Sequence, residues 1–268
     1  MQANTKFDDP SEAQLAEWTE QFSSASPFPH MVIDEFVANG HELSQLFPSE
    51  DWEGWNAMGD RYQAGKRSCD DIDLIPAGLR EMIIHLNSPC TLRTLERITG
   101  IPRLLTDPYL YGAGLHASGP GGVLAPHSDF HHHALGLYRR LNLLVYLNEG
   151  WRAEDGGALE LYPDAAARET PKSVVPVAGR AVLFVTDDRS VHGFTKPVAP
   201  GKERRSIALY YYTAAEAPEF SGDSTTLWRH TGDHGGVDRL RLLMRRVLLK
   251  ISREFSKLAY LVDPNRTT

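Results

Sequence analysis

Ala125-Pro126-His127-Ser128-Asp129-Phe130 is the stretch that decides how this chain is read. Residues two apart on a strand point to the same face, so His127 and Asp129 can grip one ion from a single extended segment. Two ligands leave an ion half built. The third is expected from Val191-His192-Gly193, where His192 stands between an apolar run and a later strand-like run, as a ligand on a neighbouring strand would. Two imidazoles and one carboxylate on one side of a metal form the facial triad that suits Fe(II) and leaves positions open for other molecules.

His-x-Asp alone is a weak pattern, and the cation that follows strengthens it. In Arg204-Arg205-Ser206, Arg204 and Ser206 share a strand face, and a guanidinium beside a hydroxyl can hold a carboxylate in bidentate fashion. Ala208 falls on that same face, whereas Ile207, Leu209 and Tyr211 fall with Arg205. Parity therefore favours Arg204 as the carboxylate clamp, with Arg205 the alternative if a bulge shifts the register.

With these residues in place the sequence resembles the iron(II)/2-oxoglutarate-dependent dioxygenases, in their prolyl-4-hydroxylase-like branch. The resemblance runs from Pro27 to Thr213. It includes Pro27-Phe28-Pro29-His30, Asp107-Pro108-Tyr109, Gly119-Pro120-Gly121-Gly122, His127-Ser128-Asp129-Phe130, the strand from Arg140 to Asn148, Gly156-Gly157, His192-Gly193 and Arg204-Arg205-Ser206. It implies a mainly β double-stranded β-helix, a jelly roll of cupin type, under a helical cover. It also implies Fe(II) held by His127, Asp129 and His192, with 2-oxoglutarate and O2 as co-substrates. Arg204, Ser206 and Tyr146 would meet the far carboxylate of 2-oxoglutarate, with Asn142 assisting. The expected activity is hydroxylation of an unactivated C–H of a small molecule, a carrier-tethered intermediate, a glycan or a peptide, while 2-oxoglutarate becomes succinate and CO2. Epoxidation, desaturation and cyclisation use the same centre. Related halogenases lack the carboxylate ligand, and this chain keeps Asp129. The competing readings are a cupin-like metal enzyme that is not an oxygenase, which Arg204 and Ser206 argue against, and a non-catalytic ligand-binding jelly roll, which the complete triad disfavours.

The 268 residues, 41% of them hydrophobic, suffice for one large core, and a single domain over 1–268 is expected. A net charge of −7 argues against general nucleic-acid binding. The two cysteines, Cys69 and Cys90, suggest neither a disulfide framework nor a thiolate zinc site. Met1–Pro10 lacks the basic start and apolar run of a secretory signal, and no segment is long enough to span a membrane, so a cytoplasmic protein is expected.

Helices are expected where apolar residues recur at helical spacing: Leu15, Trp18 and Phe22 behind a Ser11/Gln14 capping box, then Leu79 to Leu86 after Pro76, then Leu92 to Ile98 after Ser88-Pro89 and closed by Gly100. These belong to a cover over 1–104. Asp51–Ile72 reads as a long polar loop whose Trp52, Trp55 and Tyr62 serve as a lid or as packing anchors. Short apolar runs broken by Gly, Pro and Asp mark the jelly-roll core over 105–215, including a strand near Tyr109–His116. On the strand Leu141–Leu147, Leu141, Leu143, Val145 and Leu147 make an apolar face suited to lie beneath helices. Asn142, Leu144, Tyr146 and Asn148 make the face toward the barrel mouth.

His131-His132-His133 is expected at the entrance rather than on a second ion, because consecutive side chains diverge. His116 is expected as a packed histidine or a pocket residue. Asp187-Asp188-Arg189-Ser190 reads as a turn presenting His192, with an aspartate in reach of its free ring nitrogen. Over 216–268, turn-rich sequence leads to a basic amphipathic helix from Val237 to Leu261, expected to dock on the domain or to pair in a homodimer.

Overall fold

The structure is a computed structural model, and it describes residues 4–60, 62–133, 135–164, 166–214 and 226–229, together with 244, 247, 248, 251 and 255. The chain divides into two compact units, residues 1–229 and 230–268. In the second, Met244, Val247, Leu248, Ile251 and Phe255 are helical and exposed. The remainder of the basic amphipathic helix, and the turn-rich segments Gly222–Ser224 and Gly232–Gly236, lie outside the described residues.

The first unit opens with α1 (Glu12–Ser24), whose Ser11 and Gln14 close a reciprocal capping box and whose Leu15, Trp18 and Phe22 are buried. After the edge strand β1 (His30–Ile33) comes the short α2 (Gly40–Gln45), then a hairpin of β2 (Asn56–Asp60) and β3 (Gln63–Cys69). Two further helices follow, α3 (Ala77–Leu86) and α4 (Pro89–Thr99). Ser88 caps α4 through its side chain, and Gly100 ends it in the left-handed conformation, φ 69°. The remaining strands are β4 (Leu105–Thr106), β5 (Gly114–Ser128), β6 (Tyr138–Tyr146), β7 (Leu159–Leu161), β8 (Lys172–Val174), β9 (Ala181–Val185), β10 (His192–Phe194), β11 (Arg204–Thr213) and β12 (Leu227–Trp228).

Among the described residues all strand pairs are antiparallel, in the order β1-β9-β6-β11-β5-β10-β7-β8, with β3 and β12 also on β5, β2 on β3 and β4 on β11. The long β5 makes this a nearly closed jelly roll. Its first half pairs with β11, its second half with β10 and β12, and Gly119-Pro120-Gly121-Gly122 lies between the halves. Gly121 there adopts φ 75°, which a side chain would resist.

Two hydrophobic layers flank the main sheet. Outside it, Leu141, Leu143, Val145 and Leu147 join Ile207, Leu209 and Tyr211 in packing with the buried residues of α1, α3 and α4. Inside it, Leu144, Tyr146, Val182, Phe184 and Ala208 pack with Phe28, Leu159, Leu161 and Val174. Alternation along β6 from Leu141 onward, and along the part of β11 that faces it, produces this division.

Two expectations are corrected. Asp51–Ile72 is no structureless loop, because β2 and β3 pair with each other and β3 pairs along β5. β3 carries mostly polar, partly exposed side chains, so no hydrophobic alternation advertises it. The strand expected near Tyr109–His116 starts only at Gly114, because Asp107 takes the backbone N–H groups of Tyr109 and Tyr111 and folds the preceding residues into a turn.

Candidate metal centre

His127 near the end of β5 lies directly opposite His192 at the start of β10, and Asp129 follows one residue beyond β5. One nitrogen from each imidazole and one Asp129 oxygen lie within 4.8 Å of one another. All three residues are buried. The Nδ1 atoms of His127 and His192 lie 2.9 Å from the carbonyls of Ala125 and Ser190 respectively. A carbonyl only accepts, so each neutral ring carries its proton on Nδ1 and turns an unprotonated Nε2 inward. His127 Nε2 faces Asp129 Oδ1 at 3.5 Å, and His192 Nε2 faces Oδ2 at 3.8 Å. Lone pairs converging in this way suit a cation, and the two-imidazole, one-carboxylate donor set fits Fe(II).

Charge follows the same geometry. Burial by itself would raise the Asp129 carboxyl, but Arg139, His127 and His192 hold it well below the usual carboxylate range. Burial, and then the neighbouring His127, push His192 down to about 4, so its imidazole is a neutral donor at physiological pH.

Beside this cluster the structure brings together Arg204, Ser206 and Tyr146. Ser206 lies opposite Tyr146 across β11 and β6, and the Arg204 guanidinium donates to the Tyr146 hydroxyl at 3.2 Å. Arg204 Nε donates to the Gly157 carbonyl at 2.7 Å, and the guanidinium lies against the Phe194 ring at 4.6 Å. Gly157 adopts φ 61°, and a Cβ there would sit 3.1 Å from Arg204 Cδ, so the glycine makes room for the clamp. Arg205 occupies the opposite face, paired with Glu203 and lying over Phe47.

Asn142, expected to assist in holding the co-substrate, donates through Nδ2 to Asp129 Oδ2 at 3.0 Å. The three consecutive histidines diverge. His131 is buried 3.3 Å from Asp188, His132 contacts Tyr138, and His133 donates to Asp107 at 3.2 Å. His116 meets the Gly112 carbonyl at 3.2 Å, and burial, with Lys66 and Arg204 nearby, holds it well below the usual imidazole range. The turn before His192 forms as a tight polar loop in which Asp187 accepts from the backbone of Arg189 and Ser190. The ring nitrogen of His192 is taken by the Ser190 carbonyl rather than by an aspartate.

The aromatics of 51–72 divide their roles. Trp52 packs edge-on against Trp55, and Trp55 lies against Phe47, as anchors. Tyr62 stacks on Trp228, ring centroids 5.1 Å apart, and Trp228 in turn lies 4.7 Å from the His127 ring. Trp228 and the buried Arg139, ion-paired with Asp129 at 3.1 Å, are site residues that the sequence reading missed. Trp228 is followed by Arg229, which reaches Ser128, but nothing in the spacing of 227–229 announces a strand added to β5.

The sequence of residues 113–212 matches the 2OG-Fe(II) oxygenase superfamily. No curated protein matches the chain. Among solved structures it resembles a prolyl-4-hydroxylase of Pseudomonas putida, with 20% identity over 74% of this chain and 98% of that one, TM-score 0.52. It also resembles a prolyl hydroxylase of Trichoplax adhaerens solved with a hypoxia inducible factor peptide, at 20% identity over 77% and 95%, TM-score 0.50. The epimerase SnoN, solved with Fe3+, alpha ketoglutarate and nogalamycin RO, matches at 16% identity over 83% and 98%, TM-score 0.53. At these identities the likenesses bear on the fold. The stretch that is similar to the 2OG-Fe(II) oxygenase superfamily contains His127, Asp129, His192 and Arg204.

Proposed function

We propose that this chain is an Fe(II)/2-oxoglutarate-dependent dioxygenase that hydroxylates an unactivated C–H of an organic substrate. The reading is supported by three converging, buried donor atoms and by a buried arginine–tyrosine–serine group on β11 and β6 suited to a carboxylate. His127, Asp129 and His192 would hold the iron. Arg204, with Tyr146 and Ser206, would take the far carboxylate of 2-oxoglutarate and so orient its keto-acid end toward the metal. Iron held there would supply the activation of O2 and the oxidative decarboxylation of 2-oxoglutarate to succinate and CO2. The three ligand residues are buried, and Nδ1 of each histidine is held by a backbone carbonyl.

The substrate is a small molecule, a carrier-tethered intermediate, a glycan or a peptide. Fold neighbours were solved with a peptide fragment and with nogalamycin RO, so the architecture accommodates both kinds of molecule in those proteins. A cytoplasmic setting suits the two free thiols, Cys69 and Cys90, and would keep iron ferrous. Among the described residues no helix is long and apolar enough to cross a membrane. Exposed Met244, Val247, Ile251 and Phe255 are compatible with pairing of two chains through this helix.

The test is succinate formation by anaerobically purified, Fe(II)-loaded protein, with and without candidate substrates, alongside His192→Ala. Iron-dependent succinate that vanishes in the variant is expected. Failure of the iron-loaded protein to bind 2-oxoglutarate would overturn the reading.

A further inference from the structure

The two oxygens of the Asp129 carboxylate have different surroundings. Oδ2 accepts from Asn142 Nδ2 at 3.0 Å and faces Arg139 Nη1 at 3.1 Å, with His192 Nε2 farther off at 3.8 Å, while Oδ1 faces Nε2 of His127 at 3.5 Å. Arg139 is 1% exposed. Its guanidinium is sandwiched between the Phe130 ring at 3.8 Å and the Tyr210 ring at 3.5 Å. A buried cation needs a nearby anion, and here the anion is the candidate ligand itself. The two rings fix the plane of the guanidinium as well as attracting its charge, so Arg139 is held where it meets Oδ2.

Strand geometry explains how Arg139 comes to point inward. On β6, Asn142, Leu144 and Tyr146 face the barrel interior, and unbroken alternation would bring Arg140 to that face. Instead the register with β11 shifts: Tyr211 lies opposite Leu141, but Tyr212 lies opposite Arg139. Arg140 is the extra residue of a bulge, and the bulge exchanges the faces beyond it. Arg139 is thereby turned toward Asp129.

We propose that Arg139, together with Asn142, is a positioning residue of the metal centre, the two side chains holding Oδ2 so that Asp129 ligates through Oδ1 alone. This rests on the Fe(II) reading above. A carboxylate bound through both oxygens would occupy one of the positions that the facial triad leaves open, and a keto acid and O2 between them need all of these. Arg139 also offsets the carboxylate charge, which tempers its strength as a donor.

The experiment measures Mn(II) affinity and the visible ligand-field spectrum of the Co(II)-loaded full-length protein for wild type, Arg139→Met, Arg139→Lys and Asn142→Ala. Circular dichroism confirms that each variant is folded. Arg139→Met is expected to weaken Mn(II) binding on the order of 10–100-fold and to alter the Co(II) spectrum. Asn142→Ala should do so to a lesser degree, and Arg139→Lys should recover part of the loss. A general packing role would lower the melting temperature and leave affinity and spectrum unchanged. Folded Arg139→Met with wild-type affinity and spectrum overturns the proposal. If that variant does not fold, Asn142→Ala decides, because it removes one Oδ2 donor and leaves Arg139 in place; an unchanged spectrum there overturns it equally. Failure of the oxygenase reading has a different signature, namely wild-type protein that binds Mn(II) but neither binds nor turns over 2-oxoglutarate. Wild-type protein without metal affinity would sink both.

Discussion

Gly193→Ala tests whether the two histidine strands set the spacing of the centre. Gly193 follows His192 on β10, and a Cβ built there would stand 2.7 Å from the Leu124 carbonyl oxygen, 3.0 Å from Pro126 N and 3.1 Å from Ala125 C. All three are backbone atoms of β5, so no side-chain rotation relieves the overlap. Ordinary contact begins at 3.4 Å, and the closest pair must therefore separate by about 0.7 Å. β10 carries His192 with it, away from His127 on the strand it leaves. Metal sites tolerate displacements of about 0.2 Å in ligand distance, so the shift takes one ligand out of range. Overpacking of this kind costs about 1–3 kcal/mol of stability. The expected result is a folded protein with a lowered melting temperature and Mn(II) affinity reduced at least on the order of 10-fold, measured by calorimetric titration. Gly119→Ala is the control, since its nearest atoms lie 4.0 Å away. Gly193→Ala with wild-type metal affinity would refute the argument that close approach of β10 to β5 fixes the ligand geometry.

The clamp is tested by Arg204→Met, which should raise the dissociation constant for 2-oxoglutarate roughly 10–100-fold, the worth of a charged hydrogen bond of about 1.5–3 kcal/mol. Tyr146→Phe should cost less, and unchanged binding in both would move the carboxylate site elsewhere. Thiol labelling under native conditions should modify Cys90, which is exposed, and spare Cys69, whose thiol burial raises and shields; rapid modification of both would contradict the β3 packing. Buried His30 is lowered by burial foremost and also by Lys172, and it is neutral, with Nδ1 donating to Phe28 and Nε2 accepting from Lys172 at 2.9 Å. Its folded-state pKa lies below the unfolded one, so as pH falls the unfolded chain takes the proton first. Stability from this residue is complete above about pH 6.5 and is lost as pH falls through the folded pKa. The melting temperature of wild type should therefore drop more between pH 7.5 and 5.5 than that of His30→Gln, and parallel slopes would contradict the assignment.

Much of the site is legible in the sequence because it obeys the two-residue period of a strand. His127 and Asp129 converge for that reason, and the same parity separates Arg204 from Arg205, which the structure places on opposite faces. The helical cover was readable from Ser11, Ser88 and Gly100, residues whose side-chain or backbone chemistry ends a helix. What escaped depends on contacts between distant segments. The β2–β3 hairpin lacks an apolar stripe because its partner is the edge of β5. Arg139 faces inward only because of a bulge, and Asn142 turns to Asp129 because that carboxylate lies within its reach, which strand parity does not specify. Trp228 reaches His127 through a two-residue strand that single-sequence patterns do not reveal.

The position of Trp228 has an optical consequence. Its indole lies 4.7 Å from the ring of a candidate ligand and is stacked on Tyr62. A bound transition-metal ion with d–d or charge-transfer absorption would drain its excited state, so occupancy of the centre is readable in the emission of the native protein, without a dye. Of the five tryptophans, Trp52 is engaged with Trp55, Trp55 also with Phe47, Trp18 with Phe7, and Trp151 with Lys202. Trp228 is thus the fluorophore built against the chemistry, and comparison with Trp228→Phe separates its signal from the emission of the other four.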